Sequence, residues 1–266
     1  MIDSMYGAAL KAAAADDFEL DLNIPDWNTP TITEETCMKT QPPAVNKLSD
    51  IRDDKLALAD PNISFTFKIA PNPFAKGSKY WVFYASDLVK FRRIVLKRFK
   101  CSSKRKNALE SYMKVLEIRT IAMAYAREFN RDKLKPPKTC AIDFTPLDVI
   151  QCTRGAFYLL EPLLKGTVEK FDSGKEGATQ SPYFDLLQTF SHYTWVKSRK
   201  TLLICNHQGF KERMKERLTL IDPTIHTVEC EGKYGPLDMG KDAIEAFFEA
   251  HTCSPVCEQM KLEQYF

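Results

Sequence analysis

"LIDPTIHTVECEGKYGPLDMGKDAIEAFFEAHTCSPVCEQMKL", residues 220–262, carries three kinds of chemistry in one run. Asp222 stands between an apolar, strand-like stretch and Pro223, so its carboxylate is expected at a strand end. Gly235 and Gly240 bracket a short, turn-rich loop. His251, Cys253 and Cys257 form H-x-C-x3-C directly after the amphipathic "AIEAFFEA". Zinc binds imidazole and thiolate tetrahedrally, and a closed structural site takes four such ligands. This run supplies three, so a fourth must come from elsewhere in the chain.

The 266 residues suit one large domain or two tightly joined lobes with a sizeable core. Hydrophobic content of 44% and charged content of 27% are ordinary for a soluble globular protein. No run of about 18 apolar residues exists, so no membrane span is expected. A basic segment followed by an apolar core is missing at the start, which argues for an intracellular, cytoplasmic protein. In such a chain the 8 cysteines read as metal ligands and thiols, not as disulfides. Cys253 and Cys257 carry the metal expectation; Cys37, Cys101, Cys140, Cys152, Cys205 and Cys230 read as core or surface thiols. The net charge of +3 hides an asymmetry. Residues 1–60 hold 12 Asp/Glu against 5 Lys/Arg, a net of −7, and the remainder holds 23 against 33, a net of +10. A basic body favours a polyanion, and nucleotide phosphates fit as well as nucleic acid. Nucleic acid ranks second because no basic, aromatic-interleaved motif accompanies the charge.

Residues 1–57 mix acidic residues, threonines and prolines without periodicity, and are expected to be a disordered leader. A short helix over Met5–Ala15 is possible within it, and a self-docking acidic segment is the sharper alternative. At Asn62 the pattern changes. Ile63, Phe65, Phe67 and Ile69 alternate with polar residues as in a half-buried strand. "APNPFAKGS" is expected to turn, "KYWVFYA" to form a second strand and "FRRIVLKRF" a third. Asn107–Asn130 is the best helix, with Leu109, Met113, Leu116, Thr120 and Met123 on one face. "TCAIDF" and "AFYLLE" read as strands, Tyr183–Val196 as a helix, and "TLLIC" and "RLTLI" as short strands. The order predicts an α+β fold in two lobes: an antiparallel N-lobe over 58–152 and a C-lobe over 153–266.

Several residues in these elements have candidate chemistry. A glycine-bearing turn around Gly77 and Ser78 could cradle an anion, though a hairpin turn explains it equally well. Lys97 in "IVLKRF" reads equally as a solvent-facing lysine among Arg92, Arg93, Arg98 and Lys100 or, on the apolar side with Val95 and Phe99, as a lysine that needs a partner, Glu117 or a nucleotide. Glu161 closes "FYLLEP", leaving a strand end. Gln208 and Asp222 follow two short strands and could converge on magnesium if those strands are neighbours, although Asp222 could equally be a turn cap.

Together these motifs resemble the atypical alpha-kinases over about residues 62–262. The family pattern reads L-T-D-P-x-I-H-T, then F-G-x-x-N-L-G-x-x-G-I-x-x-F-F, then H-x-C-N-x-x-C; Tyr234, Asp238, Met239, Ala243 and Ser254 depart from it. The resemblance implies a protein-kinase-like fold with a zinc-containing C-lobe. It implies that Gly77 and Ser78 lie in the ATP phosphate loop, that Lys97 is the ATP-phosphate lysine, and that Glu161 is the hinge. Gln208 and Asp222 become the Mg2+ ligands, and His192 in "TFSHYTW" becomes the fourth zinc ligand beside His251, Cys253 and Cys257. His226 is read as part of the motif, not as a ligand. Three departures weaken the match. Tyr80 stands where the family has an arginine, "KFDSGKEG" keeps only Lys170, Phe171 and a late Gly177 of K-Y-N-x-N-x-G, and Asn206 replaces the D-x-Q-G aspartate. Asparagine can hydrogen-bond but cannot accept a proton or carry charge.

The resulting expectation is a serine/threonine protein kinase using Mg-ATP on a protein substrate. A pseudokinase of the same fold, suggested by Asn206, Tyr80 and Gly174, is the alternative. A zinc-bearing nucleic-acid binder ranks last.

Overall fold

The computed structural model describes residues 19–40, 42–100, 108–172, 181–212 and 216–265. In chain order its first elements are β1 (Thr33–Lys39), α1 (Leu48–Arg52), β2 (Ile63–Lys76), β3 (Tyr80–Asp87), β4 (Arg92–Phe99) and α2 (Leu109–Arg131). β5 (Ala141–Phe144), β6 (Asp148–Cys152), β7 (Phe157–Pro162), β8 (Glu169–Lys170) and α3 (Phe184–Lys197) follow. The chain ends with β9 (Leu202–Cys205), β10 (Gln208–Glu212), β11 (Arg217–Ile221), β12 (Thr224–Thr227), α4 (Gly240–Ala250) and α5 (Pro255–Gln259). These divide into two compact units. The first comprises the described part of Met1–Pro42 with Leu58–Leu116 and Pro146–Leu163; the second comprises Pro43–Ala57, Glu117–Thr145 and the chain from Leu164 onward.

The first unit is a closed antiparallel barrel in the order β1-β2-β3-β4-β7-β6. Alternation decides which side chains fill it, since successive residues of a strand face opposite ways. Phe65, Phe67 and Ile69 of β2 point inward with Phe83, Ile94, Leu96 and Leu160. Tyr80, Phe99, Val149 and Leu159 make a second cluster with Tyr112 and Leu116, the part of α2 that belongs to this unit.

Three boundaries read from the sequence move. Residues 33–39, assigned above to a disordered leader, form β1, which pairs with β2 and β6 and so closes the barrel. Val45 and Ile51 from the same stretch are buried in the second unit's core. The stretch was misread because its apolar residues are single and spaced, so no periodic run announces it. "APNPFAKGS" is no simple turn: β2 continues through Lys76 with irregularities on either side of Pro73, where proline lacks a ladder donor. The boundary near residue 152 also fails, because β7 pairs with β4 and β6 and belongs to the barrel, whereas β5 pairs with β11 and belongs to the second unit. The helix expected at Met5–Ala15 and the positions Asn107, Gly174 and Gly177 lie outside the described residues.

The second unit holds a four-stranded sheet, β5-β11-β10-β8, and a separate pair, β12-β9. Ile121, Tyr125 and Phe129 of α2 and Leu187, Phe190 and Tyr193 of α3 join Leu218, Leu220 and Ile225 in one core. The strands "TLLIC" and "RLTLI" are not neighbours: β9 pairs with β12, and β11 pairs with β10 and β5. Gly209 fixes how closely β10 lies on β11. A Cβ there would stand 2.2 Å from the Thr219 carbonyl oxygen and 2.7 Å from the Leu220 Cα, both backbone atoms that cannot swing aside. Gly209→Ala is therefore expected to destabilise the chain by about 3 kcal/mol or more, read from denaturant unfolding. An unchanged midpoint would show that the two strands can separate freely. No helix among the described residues is long and apolar enough to cross a membrane.

Candidate active site and metal centre

Lys97 lies on the outer, apolar side of β4, as alternation requires, and is 6% exposed. Its Nζ is 2.9 Å from Glu161 Oε2, itself buried, and 5.9 Å from the centre of the Tyr80 ring. Glu161 is a partner the sequence did not suggest. β4 and β7 pair Val95 with Glu161 and Lys97 with Leu159, so the lysine reaches diagonally to the carboxylate. Glu161 is thus a buried ion-pairing residue within β7, which continues through Pro162.

Taking Lys97 away removes a counter-charge from a buried carboxylate, and breaking such a pair costs about 3–5 kcal/mol. Lys97→Met is expected to lose that stability, read from denaturant unfolding. Adding Glu161→Gln should restore most of it. Equal unfolding midpoints for Lys97→Met and the parent would refute the pairing.

Tyr80, in the position of the family arginine, is 7% exposed and packs 4.8 Å from the Phe99 ring, so it is a core residue and not an anion contact. Gly77 closes the β2–β3 hairpin, its N–H donating to the Tyr80 carbonyl at 3.0 Å. Nothing lies within 4 Å of a Cβ placed there, and Ser78 is exposed. The space is open, and no backbone strain demands a glycine.

In the second unit, Gln208 opens β10 opposite Ile221, the residue before Asp222. Asn206 and Asp222 both take left-handed backbone, φ 64° and 46°, in which asparagine and aspartate are the most tolerated side chains. Asn206 Nδ2 donates to the Asp222 carbonyl at 2.7 Å, a bond that an aspartate in its place could not make. Arg119, 1% exposed on α2, donates through Nη1 to the Thr145 carbonyl at 2.6 Å and holds Nη2 3.4 Å from Asp222 Oδ1. Asp172 anchors the same turn by accepting the His207 N–H at 2.7 Å. The His207 ring is buried and brought down to about 4 by desolvation, against the pull of Asp172, so it is neutral near pH 7. Gln208 and Asp222 therefore present hard oxygen donors from adjoining strand ends, the chemistry magnesium prefers. Sequence reasoning singled out Gln208 and Asp222 but not Arg119 or Asp172. Arg119 left one signal, an arginine inside the apolar half of a helix.

Asp238 organises the glycine loop by accepting from the N–H groups of Thr227, Tyr234 and Gly240 at 3.0–3.1 Å. His226 accepts from the Met239 N–H through Nδ1, in keeping with a motif residue that is not a zinc ligand.

His192, His251, Cys253 and Cys257 gather with their donor atoms within 4.8 Å of one another. His192 Nδ1 is 3.2 Å from His251 Nε2 and 3.8 Å from the Cys253 sulfur, and His251 Nε2 is 3.7 Å from the Cys257 sulfur. Tetrahedral zinc, with bonds of about 2.0 and 2.3 Å, sets ligand edges of roughly 3.3–3.8 Å. The tautomers follow from the surroundings. His192 Nε2 must donate to the Glu263 carbonyl at 2.7 Å, which leaves Nδ1 as a bare lone pair aimed at the cluster. His251 Nε2 faces that lone pair at 3.2 Å, so both rings turn a nitrogen toward the same point. Burial alone would push the Cys257 thiol up, but the polar side chains around it, His192, His251, Thr189 and Ser254, outweigh burial and bring the thiol down to about 5. The residues fit a closed zinc site.

The alpha-kinase family model matches residues 75–257. Alpha-protein kinase vwkA of Dictyostelium discoideum is 30% identical over 203 residues, covering 75% of this chain and 32% of that protein. The chain spans about a third or less of the length of the curated relatives it matches. An alpha kinase from Entamoeba histolytica superposes with a TM-score of 0.73 at 23% identity, covering 93% of this chain and 94% of that one. The alpha-kinase domain of myosin heavy chain kinase A in complex with ADP superposes with a TM-score of 0.67 at 22% identity, covering 88% and 98%. The fold is thus the mixed α+β fold of the alpha-kinases, and this chain belongs to the alpha-kinase family.

Proposed function

We propose that this chain is an alpha-type protein kinase that transfers the γ-phosphoryl group of ATP to a serine or threonine hydroxyl of a cytoplasmic protein substrate. The observation that carries the reading is the strand-end cluster of Asn206, Gln208 and Asp222, with Arg119 holding the carboxylate. Phosphoryl transfer needs positioning and charge neutralisation more than covalent help from the protein. Magnesium, when bound, neutralises charge building up on the phosphate oxygens. Gln208 and Asp222 would hold it through their side-chain oxygens, and Arg119 keeps the Asp222 carboxylate from rotating away. Lys97 would bind phosphate oxygens, and the ion pair with Glu161 fixes the position of its ammonium group. Gly77 and Ser78 offer an exposed hairpin to the phosphates, and the Glu161 segment takes the hinge role by family likeness. The relative solved with ADP is consistent with nucleotide binding in this fold. Zinc has a structural role only, since four protein ligands leave no position for water.

Asn206 favours a second reading, that of a weak enzyme or pseudokinase, because its amide is engaged with the Asp222 backbone and cannot act as a base. Loss of a general base costs about 10²–10⁴-fold, which leaves a slow kinase where positioning and metal remain. With radiolabelled ATP and dephosphorylated casein, the chain is expected to transfer phosphate slowly. Asn206→Asp should raise turnover by about 10-fold or more, with ATP affinity nearly unchanged. It should also lower stability by about 1–3 kcal/mol, as the bond to the Asp222 carbonyl is lost. A parent that binds ATP but transfers nothing, with no gain from Asn206→Asp, would establish the pseudokinase instead.

A further inference from the structure

Cys37 and Cys152 lie on β1 and β6 and face each other directly across the closure of the barrel. They are 1% and 2% exposed, their thiols are free, and their sulfur atoms are 2.6 Å apart. From the pairing of their strands we infer that Cys37 and Cys152 form a reversible intramolecular disulfide that fastens β1 to β6, a modification site unrelated to phosphoryl transfer.

The ladder shows why this pair can bond. In an antiparallel pair, opposed residues alternate between hydrogen-bonded and non-hydrogen-bonded positions, and the latter bring the Cα atoms closer, to about 4.5 Å. Thr40 donates to the Val149 carbonyl at 2.8 Å, which makes Thr40 and Val149 a hydrogen-bonded pair. Three steps back along β1, Cys37 and Cys152 fall in the non-hydrogen-bonded position. Cys152 agrees, since its N–H is turned away from β1 to the Ala156 carbonyl at 2.8 Å. A Cα separation near 4.5 Å lies within the range of about 4.4–6.8 Å that disulfides occupy, with both Cβ atoms on the same face.

Glu35 brings a carboxylate oxygen within 4.8 Å of both sulfurs, which raises a metal as the rival occupant. Two thiolates on one zinc stand roughly 3.7 Å apart, wider than these sulfurs, and a fourth ligand is not in the group. The Cys152 thiol is pushed well up by its hydrogen bond with Cys37, by burial and by the Glu35 charge. Cys152 therefore rests as a neutral thiol, and its oxidation in the folded chain is slow.

A small hydroperoxide is the oxidant. One sulfur attacks a peroxide oxygen, the S–O bond forms and the O–O bond breaks. The departing oxygen takes that thiol's proton and leaves as alcohol, or as water from hydrogen peroxide. The second sulfur then attacks the sulfenic sulfur. The S–S bond forms, the S–O bond breaks, and hydroxide leaves as water with the second thiol's proton. Two thiols and one hydroperoxide give one disulfide, one alcohol and one water, with two electrons passing from sulfur to oxygen.

The test treats the full chain with hydrogen peroxide. A parallel sample is refolded from denaturant in a mixture of oxidised and reduced glutathione, so that shielding of the folded core cannot hide the result. Both are alkylated and mapped by mass spectrometry without reduction. A peptide linking Cys37 to Cys152 is expected in at least the refolded sample, lost on dithiothreitol and missing from Cys37→Ala. The closed loop is long, so the oxidised chain should melt roughly 5 °C or more above the reduced one. Separate alkylation of Cys37 and Cys152 in both samples would overturn the inference. So would stoichiometric cadmium uptake in a His192→Ala, Cys257→Ala background that is lost on Cys37→Ala, which would make the pair a metal site. Neither outcome bears on kinase activity.

Discussion

Cys257→Ala is expected to lower the melting temperature by about 10 °C or more. Structural zinc contributes folding free energy outright, about 10–16 kcal/mol in isolated zinc-finger peptides. Here a core already exists around α3, so the loss of one ligand is expected to cost less, about 4 kcal/mol. The cost is specific to this position. The substitution removes the thiolate from a cluster that also holds His192 and His251, and Cys257 no longer ties α5 to Thr189 of α3. Elemental analysis should find one zinc ion per purified chain, and a strong chelator should reproduce the shift in the parent. A parent without zinc, melting together with Cys257→Ala, would disprove the centre.

Asp222→Ala should abolish phosphate transfer, with a loss of about 10³-fold or more, since the proposed magnesium ligand and the partner of Arg119 disappear together. Asp222→Asn separates the two effects. It keeps an oxygen for Arg119 but removes the charge, so turnover should fall nearly as far while the melting temperature stays close to the parent's. Should Asp222→Asn retain parental turnover, the carboxylate is a turn residue and the site lies elsewhere. Radiolabelled transfer to casein and autophosphorylation provide two independent readings.

Where side chains repeat with a strand or helix period, the sequence was sufficient. Phe65, Phe67 and Ile69 enter the barrel as their alternation requires, and Lys97 takes the side assigned to it beside Val95. The zinc candidates were legible because three of them sit within seven residues and the family likeness supplies His192. Long-range pairing was not. Glu161 and Lys97 are 64 positions apart, Arg119 and Asp222 are 103 apart, and no local pattern encodes either meeting. The thiols Cys37 and Cys152 were assigned one by one to a core or a surface, because only the register of β1 on β6 reveals them as a pair. Asn206 was read for the charge it lacks, whereas its amide proton also fastens the Asp222 backbone.

β1 has a practical consequence for anyone shortening this protein. The family match begins at residue 75 and the acidic stretch looks dispensable, so a fragment starting near Leu58 would be a natural choice. Such a fragment would lack the stave between β2 and β6 and leave two unsatisfied strand margins in place of a continuous wall. Raw margins of that kind recruit strands from other molecules, and Phe65 and Phe67 would lose their cover beside them. Insolubility of that fragment would then report a missing stave and say nothing about whether the kinase domain can fold.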